Sequence, residues 1–306
     1  MKIALFGGTG FVGSYIIDEL INSDFTPKVL VRKGSEIKLK RDCQIVYGDI
    51  TDKDAIKETI KGTEVIIYNI GIIREFPSKN IDYTKLHYEG VRLCIQIAEE
   101  LNVNRFILMS ANGVKLDGTG YQTSKFKAEE ELQLSNLKWT IFRPSLIFGR
   151  PHSQFHKEFC SEIRDKMLSL PLPAPLFYKG ILPINAGLIT MSPIHVKNVS
   201  EFFVKSINMK NTVGKIYEIG GLEKLTWKEI IHIISLASNK LSWKIPVPVI
   251  LIKLIGKVFD RFEWFPVTHD QLTMLMEGNI VKDEYFSTFN INPIEFSDKT
   301  LDYLMK

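Results

Sequence analysis

Ser110, Tyr121 and Lys125 are the residues best suited to move a proton. Tyr121 and Lys125 stand four apart, hence on one face of a helix. A phenol has an ordinary pKa of about 10, too high for a base at neutral pH. A neighbouring ammonium favours phenolate, so Lys125 is expected to lower that value. Tyr121 would then exchange a proton with a carbonyl or alcohol oxygen as a hydride moves, and Ser110 would hydrogen-bond that oxygen. The chain has ten tyrosines, so the spacing alone says little. Position says more: Ser110 ends a strand-like run 11 residues before Tyr121, which opens the next helical stretch. The other reading is a structural pair that only fixes a cofactor ribose.

A second set is suited to binding. Gly7, Gly10 and Gly13 form a G-x-x-G-x-x-G turn directly after the first apolar run. One glycine permits the tight turn, one lets backbone approach a diphosphate, and one lets a helix pack on the strand. Thr9, Phe11 and Val12 fall in the same turn and helix start, whose free N–H groups and positive dipole end suit phosphates. The set points to a dinucleotide, against a merely structural turn. Where an NAD binder usually carries Asp or Glu, this chain has Arg32 and Lys33, which suit a ribose 2′-phosphate. NADP(H) is therefore expected over NAD(H), the alternative being a solvated strand end. Asp49 and Ile50 after the third run, and Asn69 and Gly71 after the fourth, are further nucleotide contacts or else turn residues. Lys125 would also bond the nicotinamide ribose.

These residues need a scaffold that gathers strand ends. Strand-like runs fall at Lys2–Phe6, Lys28–Val31, Gln44–Tyr47, Glu64–Tyr68, Arg105–Met109 and Trp139–Phe142. Helical stretches lie between them, near 12–22, 53–61, 83–102 and 122–135. The alternation predicts an α/β, Rossmann-like, doubly wound parallel sheet of about seven strands. Residues 1–150 plus about 181–221 form this domain in our reading. Residues 151–180 plus 222–306 form a small, mostly helical C-terminal lobe that holds substrate or a partner. A helix is expected over Ser153–Leu168. Pro171, Pro173 and Pro175 predict an irregular loop after it, and Leu188–Met191 and Lys215–Ile219 return to the sheet around a helix at Lys197–Asn208. Further helices are expected near 227–238, 248–262, 268–277 and 298–305.

Composition excludes other classes. Hydrophobic residues at 45% and charged residues at 24% fit a folded chain, and a net charge of +4 gives no basic stripe for nucleic acid. Cys43, Cys94 and Cys160 show no CxxC spacing and are expected as thiols in a reducing compartment. No signal peptide or membrane-spanning run is apparent, so the expectation is a cytoplasmic protein, or one held peripherally on the inner face of a membrane. His152, His156 and Cys160 would share a stripe if helical, yet lack a fourth ligand, so no metal is expected. His195 is given a packing role, and His87, His232 and His269 carry no signal. Val247–Phe262, with Lys253, Lys257 and Arg261 four apart and Trp264 and Phe265 following, reads as a buried lobe helix or a segment that docks on a membrane surface.

Gly7–Gly13, Ser110, Tyr121, Lys125 and Arg143-Pro144-Ser145-Leu146-Ile147-Phe148-Gly149 together resemble an atypical or extended short-chain dehydrogenase/reductase. The resemblance places Pro144 after the sixth strand beside the nucleotide, with the substrate lobe beyond it. Phe148-Gly149 leading to Phe155 and Phe159, Pro193-Ile194-His195-Val196, Pro246-Val247-Pro248 and Thr268–Leu272 through Gly278-Asn279 resemble bacterial relatives of the nucleotide-binding accessory subunit of respiratory complex I. That likeness implies tightly held NADPH, a role in assembly or stability of a membrane respiratory complex, and no established turnover. The competing expectation is a freestanding NADPH-dependent reductase or epimerase that uses Tyr121 and Lys125 on a small carbonyl or hydroxyl substrate of unknown identity.

Overall fold

The structure is a computed structural model; it describes residues 1–35, 43–156, 158–170, 172–240, 243–250 and 268–305. Its centre is a parallel sheet of seven strands: β1 (Lys2–Phe6), β2 (Thr26–Val31), β3 (Gln44–Tyr47), β4 (Val65–Tyr68), β5 (Arg105–Met109), β6 (Lys138–Pro144) and, later in the chain, β11 (Lys215–Ile219). Their order is β11-β6-β5-β4-β1-β2-β3. The chain steps outward from β1 to β3, then returns to β4 and steps the other way. The strand order therefore reverses between β1 and β4, and a crevice opens at their carboxyl ends. Phe6 pairs with Leu30 on one side and Tyr68 on the other.

Both faces are covered, so the strands are nearly continuous apolar runs. Ile3 and Leu5 point to the face of α1 (Phe11–Asn22) and α6 (Val196–Ser206). Ala4 and Phe6 point to the face of α2 (Lys53–Ile60), α3 (Gly90–Glu100) and α4 (Gly120–Leu134). On the first face Phe142 meets Phe203 at 4.8 Å and Tyr217 at 5.6 Å between ring centroids, with Phe202 and Phe289 edge-on to each other at 5.0 Å. Burying each such ring stabilises by about 2–3 kcal/mol before chain entropy is counted. Phe286, Phe289 and Ile291 bring the C-terminal tail onto this sheet face.

The rest of the chain forms a third core around Phe148, Cys160, Phe177, Trp227, Leu272 and Leu301. Its described elements are β7 (Ile147–Phe148), α5 (Phe159–Ile163), β8 (Ala174–Tyr178), β9 (Thr190–Met191), β10 (Ile194–His195), β12 (Leu225–Thr226), α7 (Trp227–Ala237), β13 (Lys244–Pro248) and α8 (His269–Glu277). Several expectations fail here. The helix expected from Ser153 starts at Phe159 and passes into a π-helical turn, Arg164–Leu168. The proline segment is not all loop: β8 pairs in parallel with β13, a two-stranded ribbon in which every strand is an edge and Pro175, Pro246 and Pro248 are tolerated. Leu188–Met191 does not rejoin the central sheet, because Thr190 and Met191 pair with Leu225 and Thr226. The tail ends in a 3-10 turn, Asp302–Met305. The expected helix 248–262 and the docking segment 247–265 lie outside the described residues, apart from residues 247–250.

Candidate nucleotide and proton-transfer site

The glycine turn is tight because two strand ends meet there. Gly7 has φ +93°, and a Cβ on it would lie 2.8 Å from the Asn69 carbonyl carbon. A Cβ on Gly13 would lie 2.1 Å from Gly7 O, so α1 could not start where it does with any other residue there. Gly10 is the N-cap of α1 and makes no side-chain cap, so the first-turn N–H groups, with Phe11 and Val12 among them, point off the helix end. A cradle of backbone at a helix N-terminus is what a diphosphate needs, and the residues fit one. His156 Nε2 donates to Thr9 O at 3.2 Å, Tyr15 Oη donates to Arg150 O at 2.8 Å, and the His152 ring stacks on Tyr15 at 4.0 Å. These contacts strap residues 150–156 onto α1. The His152/His156/Cys160 stripe does not exist, since residues 152–156 are not helical, and no metal-holding cluster occurs among the described residues.

Arg32 and Lys33 follow β2 directly and are exposed, beside the glycine turn. Asp49 Oδ1 accepts from Thr51 N (3.1 Å) and Thr51 Oγ1 (3.0 Å), so this carboxylate shapes the turn into α2. Buried Ile50 packs in the core under α2 and α3. Asn69 N donates to Phe6 O at 2.9 Å, holding the ends of β4 and β1 together. Pro144, buried at the end of β6, accepts from Asn112 N at 2.9 Å.

Ser110, Tyr121 and Lys125 do converge at the carboxyl edge. Ser110 follows β5, and its Oγ is buried without a hydrogen-bond partner among the described residues. The next residue back, Met109, accepts a 2.9 Å bond from Lys125 Nζ. Gly71 faces the same ammonium: a Cβ there would be 3.4 Å from Lys125 Nζ. An unpaired hydroxyl beside a buried ammonium, with a glycine opposite, suits a ribose and a substrate oxygen. The first turn of α4 is fixed by a capping box in which Thr119 N donates to Gln122 Oε1 (2.9 Å) and Gln122 N to Thr119 Oγ1 (3.3 Å).

The electrostatics differ from expectation. Burial pushes the Tyr121 phenol up to about 12, and burial brings the Lys125 ammonium down to about 8. The Lys125 ammonium is turned to the Met109 carbonyl and is itself destabilised by burial.

Sequence reasoning missed several side chains. His87 is buried between the loop after β4 and α4, where Nδ1 lies 2.9 Å from Ser124 Oγ. Gln122 Nε2 and Lys115 Nζ both donate to Glu277 of α8, at 2.8 and 2.7 Å. Asn279 Oδ1 accepts from Asn112 Nδ2 at 2.8 Å, and Asn279 O accepts from Ser145 Oγ at 3.0 Å. Arg143 pairs with the buried Glu129 carboxylate, its Nε and Nη2 at 2.9 and 2.5 Å, and so braces α4 against β6. His195 has the packing role expected of it: Nδ1 accepts from Lys197 N at 3.2 Å and caps α6, and burial brings the imidazole down to about 4. A pocket of about 180 Å³ lined by Met1, Glu64, Arg105 and Lys138 lies at the opposite, amino-terminal edge of the sheet.

Fold and site together define an NAD(P)-binding Rossmann domain within a short-chain dehydrogenase/reductase-like fold. Residues 7–158 match the NAD(P)H-binding family. Across 98% of its length the chain is 24% identical to the mitochondrial NADH-ubiquinone oxidoreductase 40 kDa subunit of Neurospora crassa, spanning 78% of that protein. It is 22% identical, over 95% of its length, to the photosystem II assembly factor Ycf39 of Trieres chinensis, spanning 86% of that protein. The fold superposes on the UDP-glucose 4-epimerase of Thermus thermophilus in complex with NAD, with a TM-score of 0.74, 16% identity and coverage of 100% and 98% of the two chains. Among the described residues no helix is long and apolar enough to cross a membrane.

Proposed function

We propose that this chain is an NADP(H)-binding, short-chain-reductase-like protein that works with a respiratory NADH:quinone oxidoreductase or in quinone metabolism, with the nucleotide held mainly as a structural or regulatory ligand. The observation that carries this reading is the placement of the lysine: Lys125 Nζ donates to Met109 O at 2.9 Å, while the half-buried Tyr121 has its phenol pushed up to about 12 by burial. Such a phenol is a weaker general base than an ordinary tyrosine. The preference for NADP(H) is supported by the exposed Arg32 and Lys33 at the end of β2. Association with a membrane complex is supported by the respiratory-complex subunit among the relatives. It is also supported by apolar side chains left exposed around the β8–β13 ribbon, Ile181 at 95%, Trp243 at 81% and Ile250 at 71%.

A second reading, a freestanding NADPH-dependent reductase or epimerase, is favoured by the unpaired Ser110 Oγ beside Lys125. Tyr121→Phe separates the two. The first reading expects a cell lacking the protein to be rescued in full by the variant, with unchanged nucleotide retention and copurification with a membrane complex. Loss of rescue with retained nucleotide would sink it in favour of the enzyme. Denaturing the purified protein and identifying the released nucleotide tests the cofactor in either case.

A further inference from the structure

A π-helical segment, Thr84–Glu89, leads into α3. Such turns are rare and gather at functional sites. Two features hold this one. Tyr68 Oη donates to Leu86 O at 2.6 Å, and Gly90 leaves the room, since a Cβ there would lie 2.3 Å from Tyr68 Oη. The widened turn aims His87 at the cleft, where it is 1% exposed.

Both ring nitrogens of His87 are committed. Ile72 N–H donates to Nε2 at 3.1 Å, so Nε2 is bare and the proton sits on Nδ1. Nδ1–H donates to Ser124 Oγ at 2.9 Å, and Ser124 Oγ donates to Tyr121 O at 3.0 Å. One directed chain of hydrogen bonds thus joins the loop after β4 to the first turn of α4. The ring also stacks on Tyr83 at 5.5 Å and lies edge-on to Tyr121 at 5.3 Å, while Tyr83 Oη donates to Ile73 O at 3.1 Å.

We propose that His87 is a positioning residue that locks residues 70–73 against the Tyr121–Lys125 turn and so fixes the width of the nicotinamide half of the cleft. This rests on the dinucleotide reading above. The role needs a neutral imidazole, since a proton on Nε2 would expel the Ile72 N–H, and burial together with the Lys125 ammonium opposes that proton. His87 is no acid or base for substrate, because neither nitrogen is left to face one. Removing the ring takes the side-chain partner from the half-buried Ile72 N–H and one of the two hydrogen bonds from Ser124 Oγ, and lets the loop relax.

The test uses the full chain and two probes: NADPH, read by nicotinamide fluorescence, and ADP, which stops at the diphosphate. His87→Ala should weaken NADPH by about tenfold, the scale set by the loss of one or two hydrogen bonds, and leave ADP unchanged. His87→Asn keeps a donor near Ser124 and His87→Gln keeps an acceptor near Ile72, so each should recover part of the affinity, whereas His87→Leu, which fills space alone, should recover none. Equal loss of both probes, or NADPH binding as tight as wild type, overturns the proposal. Failure of the wild-type chain to bind either probe would sink the dinucleotide reading beneath it. Should the variants not fold, 15N spectra of the wild-type histidines decide: a proton on Nδ1 of His87 is expected, and one on Nε2 overturns the assignment.

Discussion

Lys125 is the most expensive residue of the site, and its removal should stabilise the fold. Burial brings its ammonium from an ordinary 10.5 to about 8. That difference corresponds to a penalty on the order of 3 kcal/mol for holding the charge indoors. Below pH 8 the lysine is charged both folded and unfolded, so the whole penalty is present at pH 7. Between pH 8 and 10.5 the folded chain releases its proton first, the unfolded state binds more protons, and stability recovers. Lys125→Met removes the charge but also the 2.9 Å bond to Met109 O, a loss of about 1 kcal/mol. The variant should therefore be about 2 kcal/mol more stable than wild type at pH 7. The gap should close by about 3 kcal/mol, and so reverse slightly, as the pH rises to 10.5. Urea unfolding followed by tryptophan fluorescence at pH 7 and at steps up to 10.5 measures both, and taking the difference between variant and wild type removes other titrating groups. The same variant should hold nucleotide less tightly, since it lacks the cation beside Gly71. A variant less stable than wild type at pH 7, or a gap indifferent to pH, refutes the idea that this ammonium is buried at a cost for binding.

Two further substitutions test the cradle, and a third the cofactor. Gly13→Ala would push a methyl to 2.1 Å from Gly7 O, where only a shift of backbone can relieve it, so both thermal stability and nucleotide binding should fall, stability by about 1–3 kcal/mol. Gly10→Ala meets nothing closer than Gly7 O at 3.4 Å, so calorimetry should show a melting temperature near that of wild type while titration shows weakened nucleotide; undiminished binding would mean the turn does not face phosphate. Arg32→Asp should weaken NADPH at least about tenfold more than NADH, each tenfold being about 1.4 kcal/mol, and equal losses would remove Arg32 from the 2′-phosphate.

What could be read in the sequence was what local pattern decides. Ile3–Phe6, Val65–Tyr68 and Phe106–Met109 are apolar on both faces because helices cover both, and that leaves an unbroken run in the sequence. The glycine turn follows β1 within one residue, so its place at the crevice was legible as well. The lobe was less so. Strands of two residues, such as Ile147–Phe148 and Thr190–Met191, are too short to show any period. Residues 153–156 have helical character, yet Thr9 and Tyr15 hold the stretch of chain around them in another shape. Spacing placed Lys125 on the right helix face but could not say which acceptor its ammonium takes, here Met109 O. His87 had one local trace: Gly90 sits inside a helical pattern, where glycine costs stability unless something must come close, here Tyr68 Oη.

The remaining features were illegible because they join distant parts of the chain. Asn112 reaches Asn279, Gln122 and Lys115 reach Glu277, and Ser145 reaches Asn279 O, all from loops or helix starts that follow β5 and β6. Those are the segments that also carry Ser110 and Tyr121. The sheet alone therefore does not set the pose of the reactive residues; the docked tail holds them from one side, and the His87 chain from the other. Gln122 shows the economy of this arrangement, since one amide closes the α4 capping box with its oxygen and grips Glu277 with its nitrogen. A force that lifts α8 would loosen the first turn of α4 before it disturbed the glycine cradle, which α8 does not touch and which rests on β1, β4 and α1 with His156 on Thr9 O. A partner that engages α8 would thus act on the geometry at Tyr121 first, whereas one that engages residues 150–156 would act on the diphosphate cradle.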